Sequence, residues 1–281
     1  IVSIVLLTNL INGSVTPALQ HDRTTPILRI LEENIALRPG QLFRGYAATF
    51  TGTAGGSGSV GWMEQHAFDQ LSLVRHLGND HRFVGLWTFN IPTLNEYSQY
   101  TTPALYAYGS RLFSRFGDKQ VRNVITQTDP KPRLLAALGV KYLIVDHEVD
   151  ASRSIKTIDV GDGVLLRLHE LPYPNIGNYF PTQPVQFADA ATTIEWLLRD
   201  PDLKREVALF ETMSVTLTQG RTLEFRAMPG GAVLEATAPG TALVLLPLQF
   251  SNCFRVINLD KVPSEVRLVQ ANLVQLAVLF R

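Results

Sequence analysis

Three glycines, Gly56, Gly58 and Gly61, stand in the spacing G-x-G-x-x-G within TGTAGGSGSVGW, Thr51 to Trp62. Where such a run leaves a strand and opens a helix, backbone amides and the helix N-terminus hold a dinucleotide pyrophosphate. That fingerprint also needs a second strand ending near an acid about 20 residues further on. The acid in range here, Asp80, precedes the next apolar run, RFVGLW, instead of closing it. No basic or hydroxyl set follows Gly61, as a phosphate-cradling P-loop requires. The stretch therefore reads as a Gly/Ser-rich connection, a composition suited to flexible chain. Neither a nucleotide nor any other cofactor is expected.

Other groups that could do chemistry are equally sparse. His76, Asp80 and His81 in HLGNDH could approach a metal, but they straddle a helix C-terminus, where such residues serve backbone needs. No completing ligand follows, so no metal is expected. Asp146, Glu148 and Asp150 in DHEVD sit at a strand end, where acids are usually solvated; a glycoside-processing role would need a second carboxylate about 5 to 10 Å away across a cleft. Ser110 in YGSRL lacks the strand–turn–helix setting and the following glycine of a nucleophile elbow. Hence no catalytic residue is expected. The single cysteine, Cys253, excludes an internal disulfide and a cysteine-based zinc site. Lys plus Arg equals Asp plus Glu at 25 each, so no global field attracts nucleic acid.

The stretch GLWTFNIPTLNEYSQYTTPALYAYG carries the functional reading. Trp87, Asn90, Asn95, Tyr97, Tyr100, Tyr106 and Tyr108 mix aromatic faces with amide donors, the groups that stack on and hydrogen-bond to sugar rings. The same residues at these spacings also serve as ordinary core or rim, and both readings stand. If Trp87, Asn90, Tyr97 and Tyr100 line an exposed groove, it is a glycan site, and Arg44 could add a charged hydrogen bond to a phosphate or uronate on the ligand.

The elements that must position these groups follow from patterning. With 281 residues, 46% of them apolar, the chain can bury one large core or two smaller ones. TTPILRILEENIALRPG predicts a helix capped by Thr24 or Thr25, opened by Pro26, with Ile27, Ile30, Leu31 and Ile35 on one face and an end at Pro39-Gly40. QLFRGYAATF and VKYLIVD read as strands, the latter buried. MEQHAFDQLSLVRHLG, TTPALYAYGSRLFSRF, DPKPRLLAALG and FADAATTIEWLLRDPDLKREVALF read as helices, the last broken near Pro201. SIKTIDVGDGVLLRLHEL is a hairpin turning at Asp162-Gly163. After about Thr212 short β-rich runs alternate with turn signals at Gln219-Gly220, Pro229-Gly230-Gly231, Pro239-Gly240 and Asp260. The expected organisation is a mixed-sheet α/β (α+β) domain over 1–211 and a β-sandwich-like domain over 212–281. The apolar opening IVSIVLLTNLI is either a buried strand or the tail of a transmembrane helix, being shorter than the roughly 20 residues that span a bilayer. Both ends read as cut from a longer protein.

The succession TTPILRILEEN, LFRGY, GLWTFNIPTLNEYSQYTTPALYAYGSRLF, LLAALGVKYLIVD, GVLLRLHELPYPNIGNYF, GTALVLLPLQFSNCFRV and ANLVQLAVLF resembles the extracytoplasmic region of YfhO-like bacterial membrane proteins. These in turn are similar to the GT-C type of lipid-linked-sugar glycosyltransferases. The resemblance runs from about Thr24 to Phe280. It is carried by the Thr-Pro helix start, Phe43-Arg44 and the strand Leu138 to Asp146, and it departs at Ser251-Asn252-Cys253-Phe254, where a Pro-Gly-Trp-like turn belongs. In transferases of that type the catalytic acid lies between early transmembrane helices, a region not matched here, so no residue of this chain inherits that role. The resemblance implies a domain on the extracytoplasmic face of a bacterial membrane, attached to a parent transmembrane region. It would help bind or position a glycan or lipid-linked sugar without being catalytic itself. The alternative is a free-standing carbohydrate-binding or adhesion module.

Overall fold

The computed structural model of the chain describes residues 25–50, 85–94, 102–114, 120–121, 124–125, 129–146, 148–150, 152–160, 165–228, 231–257 and 265–281. The glycine-rich loop, the helix expected over 63–78, the apolar opening, His76, Asp80, His81, Tyr97 and Tyr100 lie outside the described residues.

Helix α1, Pro26–Ile35, begins as the sequence dictates. The Thr25 side chain accepts a hydrogen bond from the Leu28 amide at 3.2 Å, and Pro26 occupies the first turn, where it has no amide to lose. Ile27, Leu28, Leu31 and Ile35 form its buried stripe. The helix stops short of Pro39 because the Leu37 amide, which would extend it, bonds instead to the Asn90 carbonyl at 2.7 Å. Helix α2, Pro103–Leu112, repeats the Thr-Pro start with Thr102, and α3, Pro132–Ala137, is a short connector. In α4, Ala190–Leu197, Asp189 caps the N-terminus through the Thr192 amide at 2.9 Å. The capping bonds hold the Asp189 carboxyl below its ordinary value. Among the described residues no helix is long and apolar enough to cross a membrane.

The first sheet holds β1 (Tyr46–Phe50), β4 (Val140–Val145), β6 (Leu165–Glu170) and β5 (Arg153–Asp159) in that order. β1 runs parallel to β4, while β4, β6 and β5 are antiparallel, so the predicted hairpin is present and the sheet is mixed. Between them in sequence lies a two-residue ribbon, β2 (Gln120–Val121) with β3 (Val124–Ile125). β4 is buried on both faces: Tyr142 and Ile144 meet α1's stripe, and Leu143 and Val145 face the other way into the largest apolar cluster. That is why its sequence is a continuous apolar run and not an alternation.

The second sheet has the order β11 (Ala242–Gln249), β13 (Gln275–Phe280), β12 (Val266–Ala271), β8 (Glu206–Leu209) and β7 (Gln183–Gln186), with β7 and β8 parallel. DLKREVALF, expected to continue a helix past Pro201, is instead a turn followed by β8. Val207, Ala208 and Leu209 are all buried, as a strand inside a packed sheet requires and an amphipathic helix does not. Strands β9 (Arg221–Met228) and β10 (Gly231–Thr237) form an antiparallel ribbon whose Phe225, Ala227 and Leu234 join a cluster with Val244, Leu246 and Leu276. The chain is therefore a strand-rich α+β fold with mixed sheets. β7 and β8 precede residue 212 in sequence and share a sheet with β11 to β13.

Two polar links join the sheets. The Ala137 carbonyl at the end of α3 accepts from the Asn175 amide at 3.1 Å and from Gln275 at 2.9 Å. Gln275 also accepts from Asn272, whose own side-chain oxygen takes the Ala208 amide at 2.9 Å. All three side chains are buried. The Tyr46 hydroxyl on β1 donates to the Pro247 carbonyl on β11 at 2.6 Å. Gly139, at φ 95°, makes this approach close, because a Cβ there would lie 2.6 Å from Pro247 Cβ and 3.0 Å from the Asn175 carbonyl.

Candidate functional site

RFVGLW is an apolar, strand-like run in sequence, but its described end enters a single 3-10 turn, Leu86–Phe89. Gly85 at φ 85° starts the turn and Asn90 at φ 57°, ψ 21° ends it. Two left-handed residues so close together are incompatible with a strand; glycine and asparagine are the residues that tolerate that region at least cost. The Asn90 amide bonds back to the Trp87 carbonyl at 3.0 Å, and the Ile91 amide to Leu86 at 3.2 Å.

Apolar anchors on both sides fix this turn. Leu86 and Ile91 are fully buried against Ile27, Leu28 and Leu31 of α1. The following residues run along the free edge of β1: the Ala47 amide bonds to Pro92 and the Leu94 amide bonds to Ala47, both at 2.9 Å. With its neighbours pinned inward, Trp87 points outward and is 68% exposed. An indole left in water on a turn this well anchored forgoes roughly 2 kcal/mol or more of burial free energy.

Beside the turn, Glu32, Glu33, Ala36, Leu37 and Arg38 of α1 and its exit face Phe89 and Asn90 across a shallow recess of about 390 Å³. Its lining offers carboxylates, a guanidinium and a carboxamide beside Ala36, Leu37 and Phe89, which suits hydrogen bonding to hydroxyls more than it suits proton transfer or metal binding. Among the described residues no group of three His, Cys, Asp or Glu side chains could hold a metal ion.

The expected site residues separate on this framework. Trp87 and Asn90 share the turn, and Asn90 reaches α1 through Leu37. Arg44 is exposed but follows Phe43, which packs on Tyr46 and Phe225 in the cluster of the β9–β10 ribbon. Phe43 thus ties Arg44 to a different patch of core from the one that anchors the Trp87 turn. Tyr97 and Tyr100 lie outside the described residues. Of the two helical tyrosines, Tyr106 is exposed, whereas Tyr108 is buried beside Phe113, its hydroxyl pKa raised by burial. The stretch thus mixes core and surface residues, as the two sequence readings allowed.

Of the acids that follow β4, Glu148 is held in an ion pair by Arg167. Arg167 Nε bonds to the Glu148 carboxylate at 2.7 Å, and its Nη1 lies 3.5 Å from the Asp146 carbonyl. Ser110 donates to the Ala107 carbonyl within α2. Sequence reasoning did not find Glu32, Glu33 and Arg38, because their proximity to Asn90 depends on the long-range Leu37–Asn90 bond.

Fold and site together define an α+β chain built on mixed sheets that presents an exposed tryptophan beside a small polar recess. Scans against protein-family models, curated proteins and solved structures each return no match.

Proposed function

We propose that this chain is a non-catalytic glycan-contact domain on the extracytoplasmic face of a bacterial membrane, part of a multi-span protein that resembles lipid-linked-sugar glycosyltransferases. Its role is to orient a glycan acceptor or lipid-linked sugar. The observation that carries this reading is Trp87, 68% exposed on a turn anchored by the fully buried Leu86 and Ile91. A pyranose would lie on the indole face, and the Asn90 carboxamide and the charged groups that line the recess would exchange hydrogen bonds with its hydroxyls. The recess is shallow, so affinity is weak: millimolar, equivalent to about 4 kcal/mol. The membrane part supplies the rest.

Calorimetric titration of the chain with bacterial cell-envelope oligosaccharides tests this. Trp87→Ala should abolish measurable binding and leave the melting temperature within about a degree, because an exposed side chain contributes little to stability. Equal binding by wild type and Trp87→Ala would refute it. A free-standing carbohydrate-binding module would use the same surface; a native reading frame with many apolar spans distinguishes the membrane-anchored form.

A further inference from the structure

The recess beside the Trp87 turn is charged as well as polar. Of the side chains that line it, Glu32 and Glu33 are carboxylates and Arg38 is a guanidinium, so two negative charges against one positive leave the lining net negative. Among the described residues no ion pair joins any of these three to another side chain. A carboxylate only accepts hydrogen bonds, and a guanidinium only donates them. A sugar hydroxyl can meet either group, whereas an ammonium can meet only the carboxylates.

The two walls of the recess are tied together without a ligand. The Leu37 amide donates to the Asn90 carbonyl at 2.7 Å, which joins the exit of α1 to the Trp87 turn, and the buried stripe of α1 holds the helix from below. The enclosed space of about 390 Å³ lies within the roughly 300–1,000 Å³ of small-ligand sites. A bare metal ion is a poor occupant. Only two carboxylates line the space, Arg38 repels a cation, and among the described residues no group of three His, Cys, Asp or Glu side chains could hold one. An ammonium carried on a sugar ring can use the carboxylates and the apolar surface of Ala36, Leu37 and Phe89 together.

We propose that this recess selects a glycan with a free amino group over one whose amine is acylated. One ring of the glycan stacks on Trp87, and the neighbouring ring enters the recess, where its ammonium pairs with the Glu32 and Glu33 carboxylates and its hydroxyls meet Arg38 and Asn90. Charge-assisted hydrogen bonds are roughly twice as strong as neutral ones, and acylation removes both the charge and all but one of the ammonium donors. A recess held open in advance spends little of that gain on ordering. The inference rests on the glycan reading of this site and names the class of sugar it takes.

The test is an NMR titration of the whole chain, in mildly acidic buffer that keeps amines protonated, with the disaccharide of glucosamine, its N-acetylated counterpart and methylammonium. The glucosamine disaccharide should bind in the millimolar range, shift the amides of Ala36 to Arg38, and bind about tenfold more tightly than the acetylated one or than methylammonium. Rising salt should narrow that preference. Neither glutamate is buried, so a variant carrying Glu32→Gln and Glu33→Gln should fold, and it should bind the two disaccharides within about twofold of each other. Arg38→Gln should tighten the glucosamine disaccharide about threefold by removing a like charge. Trp87→Ala should weaken both disaccharides and leave their ratio unchanged. Equal binding of the two disaccharides by wild type overturns the inference and leaves the glycan reading standing. It is overturned as well if neither disaccharide binds, if methylammonium binds as tightly as the glucosamine disaccharide, or if the preference survives loss of both carboxylates.

Discussion

Replacing Gln275 by leucine removes a side chain of similar size from the polar link between the two sheets. Gln275 is 2% exposed, donates to the Ala137 carbonyl at 2.9 Å and accepts from Asn272 Nδ2 at 2.8 Å. In Gln275→Leu the Ala137 carbonyl keeps its bond from Asn175 at 3.1 Å, so that acceptor is not orphaned. The Asn272 amide donor, fully buried, is. A buried unpaired donor costs about 1–3 kcal/mol, and leucine recovers a few tenths through better apolar transfer. The expected net loss is about 2 kcal/mol, or roughly 3–4 °C in melting temperature for a chain of this size. Urea unfolding followed by both far-ultraviolet circular dichroism and tryptophan fluorescence measures it. A lower midpoint with an unchanged slope is expected. A change below about 0.3 kcal/mol would refute the reasoning, since the amide network would then contribute nothing to joining α3 with β13.

Gly139→Ala should destabilise by about 2–4 kcal/mol, because the new methyl group meets Pro247 and the Asn175 carbonyl at φ 95°; the same urea titration reads it. Burial pushes the Tyr46 hydroxyl up to about 12 from its ordinary 10.0. The protonated form is favoured in the folded state, so this contribution is whole below pH 10 and is lost as pH rises from 10 to 12. The Tyr46 share of that loss is about 2–3 kcal/mol, so thermal melts of Tyr46→Phe across the window should fall by that much less than wild type, the other buried tyrosines contributing to both. The Tyr108 hydroxyl is buried with no hydrogen-bond partner among the described residues, so Tyr108→Phe should leave the melting temperature unchanged or raise it; a drop of more than about 2 °C would reveal a partner.

Local chemistry in the sequence accounted for the elements whose signals are local. Thr25-Pro26 and Thr102-Pro103 mark helix starts because cap and proline act within one turn. Val140 to Asp146 reads as a buried strand because both faces of β4 are covered, and β5–β6 is legible from its turn residues and β-rich flanks. What failed was non-local. β8 looks helical in isolation, and only pairing with β7 and β12 makes it a strand. α1 loses its last turn to the Leu37–Asn90 bond, a contact across more than fifty residues that periodicity does not report. At the candidate site, aromatic and amide composition pointed to Trp87 and Asn90, but not to which aromatics face water. Tyr106 and Tyr108 are two residues apart on one helix, and their opposite fates depend on which side of α2 the core occupies.

The central claim is that the Trp87 turn meets a glycan, and the most direct measurement is the Trp87 indole N–H resonance during titration of the chain with cell-envelope oligosaccharides. The account predicts saturable shifts at a millimolar midpoint for Trp87, for the Asn90 side chain and for the amides of Ala36 to Arg38, with Trp196 unmoved. Shifts confined to another surface, or a Trp87 resonance that stays fixed through the whole panel, would contradict it.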